Sequence, residues 1–195
     1  MTLTFTAATI MDAVWLGWWL SWLAAASWSD RPVERSPAST QILYRLLAIA
    51  GVVLLFGAFR PRPSGDVTFW HGGLVLQAAM IVITIAGFAV TWWARLHLGR
   101  LWSSSVTRKS DHRVIESGPY ALVRHPIYTG ITIAAFATAI MRGTLTAFAG
   151  AAVMTFGWYI KARIEESFLR EQLGAAAYGD YARRVPMLVP FLTRR

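Results

Sequence analysis

The sequence predicts an all-α, polytopic membrane protein of about five transmembrane helices, the last two forming a helical hairpin. Three observations carry this. Hydrophobic residues make up 55% of the 195 positions and charged residues only 15%, where a soluble domain carries about 25% charge. Too few charges remain to coat a water-facing surface. The apolar residues are gathered into long runs separated by polar stretches. The basic residues lie between those runs, concentrated on alternate connections, as the topology of membrane chains requires. The formal net charge is +9. Placed between apolar runs, that charge suits anionic lipid headgroups, and the basic segments lack any nucleic-acid fold signature.

The first run, residues 10–28, is interrupted only by Asp12 and Ser21. At ~1.5 Å per residue it is long enough for a ~30 Å hydrocarbon core. It has no basic leader and is filled with bulky Trp, so a cleavable signal is not expected. Trp15, Trp18, Trp19 and Trp22 follow helical spacing and share a face. That stripe suits lipid contact and interfacial anchoring, or an aromatic wall for a lipid substrate.

Residues 29–39, with Pro32 and Pro37, read as a loop. The second span is 41–59, with Arg45 near enough to its start to snorkel. A turn-rich connection, 60–66, leads to the third span, 72–94, closed by Trp92 and Trp93. Residues 95–126 form the long polar segment, with Arg95, Arg100, Arg108, Lys109, Arg113 and Arg124. Two apolar runs follow, 127–140 and 144–160, joined by Met141-Arg142-Gly143. Each is short for an upright span, which favours a tight hairpin. From Lys161 the chain is charged and amphipathic until Gly174, and residues 178–184 form another turn or two before Pro186. Residues 1–195 read as one domain, with its catalytic half at about 95–190.

Sixteen Lys and Arg residues fall on the side of the first loop, the long polar segment and the tail, against three on the other. That asymmetry puts the N-terminus outside, and the long segment and C-terminus in the cytoplasm.

Four polar stretches carry the chemistry. In the first, Pro126 sets a helix start, so unpaired backbone N–H groups and the positive dipole end stand beside Arg124 and His125. This could hold a carboxylate or phosphate, or be a basic juxtamembrane anchor with His125 as a cap. The second, Glu165-Glu166, could bind a cationic group or be a solvated helix face. The third is the tail from Tyr178 to Pro186, and the fourth runs from Arg95 to Ser103. Cysteine is absent, so disulfides and thiolate chemistry are excluded. The four histidines show no ligand spacing, so no metal site is expected.

Together these stretches resemble the isoprenylcysteine carboxyl methyltransferase family and related phospholipid methyltransferases. The motifs are Gly118-Pro119-Tyr120 with Arg124-His125-Pro126-x-Tyr128-x-Gly130, Glu165-Glu166-x-x-Leu169, and Tyr178-x-x-Tyr181 followed by Val185-Pro186 and Pro190. The resemblance implies an integral membrane enzyme using S-adenosylmethionine, the cofactor being enclosed by the loop, the hairpin and the C-terminal helices. Carried over, it assigns Tyr120, Val123, Arg124, His125, Pro126, Tyr128, Glu165, Glu166, Tyr178 and Tyr181 to the cofactor, and Arg124, Glu166 and Arg163 to catalysis. The implied reaction is carboxyl O-methylation of an isoprenylcysteine-like or isoprenoid acid. Amine N-methylation of a phospholipid, or an NADPH-dependent reductase like the membrane sterol reductases, stays open. The expected partners are a lipophilic or prenylated substrate and membrane lipids, with no nucleic acid and no obligate protein partner.

Overall fold

The computed structural model describes residues 6–25, 34–35, 38–57, 66–99, 107–108 and 115–192. The described chain is a bundle of six α-helices: α1 Ala7–Ala24, α2 Ala38–Phe56, α3 Leu74–Leu98, α4 Pro126–Arg142, α5 Leu145–Leu173 and α6 Ala175–Arg184. A short 3₁₀ helix, Gly118–Ala121, precedes α4. Two two-residue strands, β1 Glu34–Arg35 and β2 Thr107–Arg108, pair antiparallel and tie the two polar connections together. Residues 100–106 and 109–114 of the long polar segment, including Arg100, Lys109, His112 and Arg113, lie outside the described residues.

α2 packs along α5, α3 along α4, and α4 against α5. Small residues set these approaches. A Cβ on Gly87 of α3 would lie 2.6 Å from the Gly130 carbonyl of α4. One on Gly51 of α2 would lie 2.7 Å from the Met154 nitrogen of α5. The core between them is Leu55, Ile131, Ala135, Ala139, Ala147, Ala151 and Met154, with partly buried aromatic rings around it.

The tryptophan stripe of α1 divides. Trp15 donates to Thr138 Oγ1 at 2.9 Å, and Trp18 to Thr91 Oγ1 at 2.8 Å. Trp22 packs edge-on to Trp92, whereas Trp19 is exposed. An indole N–H in an apolar core needs an acceptor, and threonines on α3 and α4 supply it. The stripe is therefore mostly an internal seam, with Trp19 left at the surface.

The hairpin turn is built as its residues require. Gly143 closes α4 with φ of 64°, a left-handed conformation glycine adopts freely. Thr144 then caps α5 by accepting from the Ala147 N–H at 3.3 Å. The segment before α3 is pinned onto that turn: Phe69 N–H donates to the Gly143 carbonyl at 2.8 Å and Leu145 N–H to the Val67 carbonyl at 2.9 Å.

Some boundaries move from the sequence expectation. α3 runs on to Leu98, so Arg95 and His97 belong to its last turn rather than to a loop. Arg95 is buried there, its guanidinium 4.8 Å from the Trp22 ring centre. α5 continues from its apolar part, which ends at Ile160, to Leu173 without a break. Among the described residues one helix, Leu74–Leu98, is long and apolar enough to cross a membrane, and Gln41–Phe56 is apolar but shorter. Outward faces of several helices are nonetheless apolar: Leu16, Leu46, Ile49, Val75, Val82 and Phe156 are all exposed.

Candidate active site

The site forms where the start of α4 meets the charged extension of α5. Residues 115–125 reach it through a tight turn. Gly118 has φ of 60° and lies under the His97 ring, where a Cβ would be 2.8 Å from its nearest atom. His97 stacks on Tyr120 with ring centres 6.4 Å apart, and its Nε2 lies 2.9 Å from Ser117 Oγ. Val123 is buried, and Pro126 opens α4 with His125 at the N-cap. His125 makes no side-chain cap bond. Its imidazole turns instead to the acidic pair.

Glu165 and Glu166 are consecutive, about 100° apart around α5. They reach His125 from two sides. Its Nε2 lies 3.3 Å from Glu166 Oε1 and its Nδ1 lies 3.5 Å from Glu165 Oε2. Arg124 Nε donates to Glu166 Oε1 at 2.7 Å, and Tyr128 Oη donates to Glu165 Oε1 at 2.6 Å. The His125 ring stacks on Tyr128, and Tyr128 stacks on Trp158, at 5.5 and 5.4 Å between centres. Two carboxylates are thus gathered under one imidazole and a slab of aromatic rings.

The tail closes this arrangement. Arg124 also donates to the carbonyls of Ala182 at 2.7 Å and Val185 at 2.6 Å, near the end of α6. The Arg124 and His125 backbone N–H groups donate to the Pro186 and Met187 carbonyls, and Thr129 Oγ1 donates to the Leu188 carbonyl. Tyr181 Oη donates to the Tyr120 carbonyl at 2.7 Å. The Arg124 and His125 peptide N–H groups are therefore spent on the tail's own backbone.

Burial works against the charge on every member of the acidic pair, and the partners outweigh it. For Glu166, burial raises the carboxyl, but His125 and Arg124 hold it down at about 2. Glu165 is lowered too, against burial, by His125, Lys161 and Tyr128. For His125, burial disfavours the imidazolium, but hydrogen bonds and charge from Glu165 and Glu166 raise it above the ordinary histidine value. Both carboxylates are consequently ionised at neutral pH. Burial, followed by the charge of Glu166, raises the Tyr178 hydroxyl, and burial raises that of Tyr181, so both are neutral there.

Of the expected residues, Tyr120, Val123, Arg124, His125, Pro126, Tyr128, Glu165 and Glu166 converge. Tyr178 and Tyr181 adjoin them, but pack into a cluster with Val185 and Leu169 that fastens α6. Arg163 does not join. It is two residues from both Lys161 and Glu165, hence turned about 200° from each, and it is exposed. Sequence reasoning passed over Lys161 and Trp158. Lys161 is buried, 3.8 Å from Glu165 Oε1, with its ammonium 5.4 Å from the Tyr128 ring centre. A Lys four residues before a Glu normally reads as a solvated helix pair, and only the tertiary packing reveals otherwise.

An apolar cavity of about 630 Å³ opens beside the site, lined by Trp15, Trp18, Trp22, Phe56, Tyr128, Trp158 and neighbours. A second cavity, about 550 Å³, lies at the other end of α4 near Asp66, His71 and Arg142.

Residues 79–171 match the isoprenylcysteine carboxyl methyltransferase family model. That segment is similar to the family. It is 27% identical over 184 residues to methanethiol S-methyltransferase 1 of Bradyrhizobium diazoefficiens, covering 89% of this chain and 58% of that protein. It is 33% identical over 88 residues to protein-S-isoprenylcysteine O-methyltransferase B of Arabidopsis thaliana, covering 45% of this chain and 44% of that one. The chain thus spans less than two thirds of either relative's length. The fold matches that of a eukaryotic intramembrane Ras methyltransferase, isoprenylcysteine carboxyl methyltransferase, with a TM-score of 0.62 over 97% of this chain and 70% of that one, at 24% identity.

Proposed function

We propose that the protein is a multi-pass membrane methyltransferase that uses S-adenosylmethionine and acts on a lipophilic acceptor. The observation that carries this is the pair of ionised carboxylates, Glu166 buried and Glu165 partly buried, beside an aromatic stack and an apolar cavity. The donor set fits the cofactor. Two carboxylates suit its α-ammonium and sulfonium, and Tyr128 with Trp158 suits a flat base or a cation over a ring face. When bound, S-adenosylmethionine supplies an activated methyl group on a sulfonium. The chain's own residues bind, orient and keep out water, which is what in-line displacement requires. Glu165 and Glu166 hold positive charge, His125 fixes their spacing, and Arg124 ties the segment after α6 to the site.

In this reading the apolar parts of α1 to α5 cross the membrane. The N-terminus is outside, and the site and the C-terminus face the cytoplasm. The exposed apolar faces of α1, α2 and α3 support lipid contact, and the concentration of basic residues on the site's side supports the orientation.

A lipophilic acceptor is favoured by the size of the cavity. A second reading, a small thiol acceptor, is favoured by the alignment with methanethiol S-methyltransferase 1 along 89% of this chain. A two-heavy-atom thiol leaves most of the 630 Å³ cavity unexplained.

The test is transfer of labelled methyl from S-adenosylmethionine into membrane extracts, followed by base treatment. Carboxyl methyl esters release methanol, whereas N-methyl and S-methyl products do not. Label in lipophilic product supports the reading, and label only in volatile thioether supports the second. No transfer into any fraction contradicts both.

A further inference from the structure

Beyond the carbonyls that meet the start of α4, the tail makes a turn that takes no part in the site. Leu192 N–H donates to the Val189 carbonyl at 3.3 Å, closing a β-turn over Pro190 and Phe191. Proline fixes a negative φ at the second position of the turn, and Phe191 has φ of 66° at the third. That is the sign pattern of a type II turn, whose third position normally takes glycine. Phe191 is the one non-glycine residue with positive φ among the described residues. Its ring gains little from them in return. Phe191 is 93% exposed, beside Leu192 at 72% and Val189 at 54%. A large apolar side chain held outward on a strained backbone calls for a partner outside the chain. The turn also stands at a fixed level. The three residues before it, Pro186, Met187 and Leu188, accept from Arg124 N–H, His125 N–H and Thr129 Oγ1 in turn. Those groups flank Pro126, where α4 enters its apolar run. Around the turn the charge is basic: residues 180–195 hold four arginines against one aspartate, and Arg183 and Arg184 are exposed.

We infer that residues 189–192 are a membrane-interface wedge. Phe191 and Leu192 insert at the boundary between headgroups and acyl chains, in the leaflet on the site's side, and the neighbouring arginines meet anionic headgroups. This rests on the membrane-spanning reading above. In that reading the start of α4 lies at the membrane surface, so a turn hydrogen-bonded next to it reaches the depth at which aromatic side chains settle. An apolar tip beside a basic surplus is what an anionic bilayer surface accepts: the tip buries about 5–10 Å deep while the cations stay among the headgroups. A second copy of this chain fits less well, because it would bring the same basic surplus to face this one.

The sequence holds no cysteine, so one introduced thiol carries a spin label at one known place. Purified Leu192→Cys is labelled and placed in vesicles of equal parts phosphatidylcholine and phosphatidylglycerol. Electron paramagnetic resonance then measures the label's collisions with oxygen, which favours the bilayer, and with a water-soluble nickel chelate. Asp180→Cys on the exposed side of α6 and Val82→Cys on the exposed face of α3 are the aqueous and lipid references. The label at 192 is expected to be shielded from nickel as at 82, with the label at 180 open to it. Phe191→Gly in the Leu192→Cys background should shift the ratio of inserted to free turn about tenfold towards water, the scale of losing one buried aromatic side chain. Phe191→Trp should keep the shielding. Glycine adopts the positive φ freely, so Phe191→Gly should fold as wild type by circular dichroism. A label at 192 as open to nickel as that at 180, or shielding that survives in Phe191→Gly, would overturn the inference. Shielding that comes with spin–spin broadening and fades on dilution into more lipid would also overturn it, by assigning the turn to a second copy. A label at 82 open to nickel sinks the membrane-spanning reading and the wedge with it, whereas shielding at 82 without shielding at 192 sinks the wedge alone.

Discussion

Arg124 and Glu166, forty-two residues apart in the chain, meet at 2.7 Å, and the same guanidinium donates to the carbonyls of Ala182 and Val185. One side chain therefore joins the start of α4, the extension of α5 and the end of α6. Removing it takes from Glu166 its nearest donor and from the Ala182 and Val185 carbonyls this partner. Arg124→Ala should cost roughly 3–5 kcal/mol, the scale for breaking a buried pair. Arg124→Lys should recover little, because an ammonium lacks the planar fork. Thermal unfolding in detergent measures the loss, and limited proteolysis should show earlier cleavage after α6. Wild-type stability in Arg124→Ala would contradict the clamp.

The acidic pair makes a pH prediction whose sign differs on its two sides. His125 is raised above 6.5 in the folded protein, so its contribution is full below that value and is lost as pH rises through the folded value. Glu165 and Glu166 are lowered from 4.5, so their contributions are full above that value and lost as pH falls, towards about 2 for Glu166. The fall for Glu166 corresponds to roughly 3 kcal/mol at neutral pH. The melting temperature should therefore peak between about pH 5 and 6.5 and decline on both sides. His125→Gln should flatten the alkaline limb and spare much of the acid one, which fluorimetric melts across the pH range will show.

Tyr128 holds Glu165 through its hydroxyl while its ring sits between His125 and Trp158. Tyr128→Phe keeps the stack and removes the donor, costing about 1.5–3 kcal/mol, the range for a bond to a charged group. Tyr128→Ala removes both and should cost more, about 3–5 kcal/mol. Equal melting temperatures for the two variants would show that the ring stack contributes nothing.

Gly87 and Gly130 bring α3 and α4 to backbone contact. Gly87→Ala should force the helices apart, at a cost of about 1–3 kcal/mol. Gly17 of α1 has open space around it, so Gly17→Ala should be neutral or stabilising by up to ~1 kcal/mol. Comparing their melting temperatures tests whether glycine at the α3–α4 crossing is a packing requirement.

Much of this architecture was legible because its signals are local. Pro126, Gly143 and Gly174 punctuate helices by backbone geometry alone, and α4, α5 and α6 begin or end at them. The motif residues Arg124, His125, Tyr128, Glu165 and Glu166 converge as their joint order suggested. What stayed hidden depends on rotation and on distant partners. Arg163 and Lys161 are two residues apart, and only the packing of α5 against α2 and α4 decides which one is buried. The carbonyl partners of Arg124 lie near the end of α6, beyond any local pattern. The tryptophan stripe read as one face, but threonines on α3 and α4 select Trp15 and Trp18 for the interior.

The central claim is that Glu165 and Glu166 form a cation-binding cofactor site. Calorimetric titration of S-adenosylhomocysteine into purified wild type, Glu165→Gln and Glu166→Gln tests it most directly, with folding of each variant checked by circular dichroism. The account predicts saturable one-to-one binding to wild type, weakened about tenfold or more in each folded variant. No binding to wild type, or unchanged affinity in both folded variants, would contradict it.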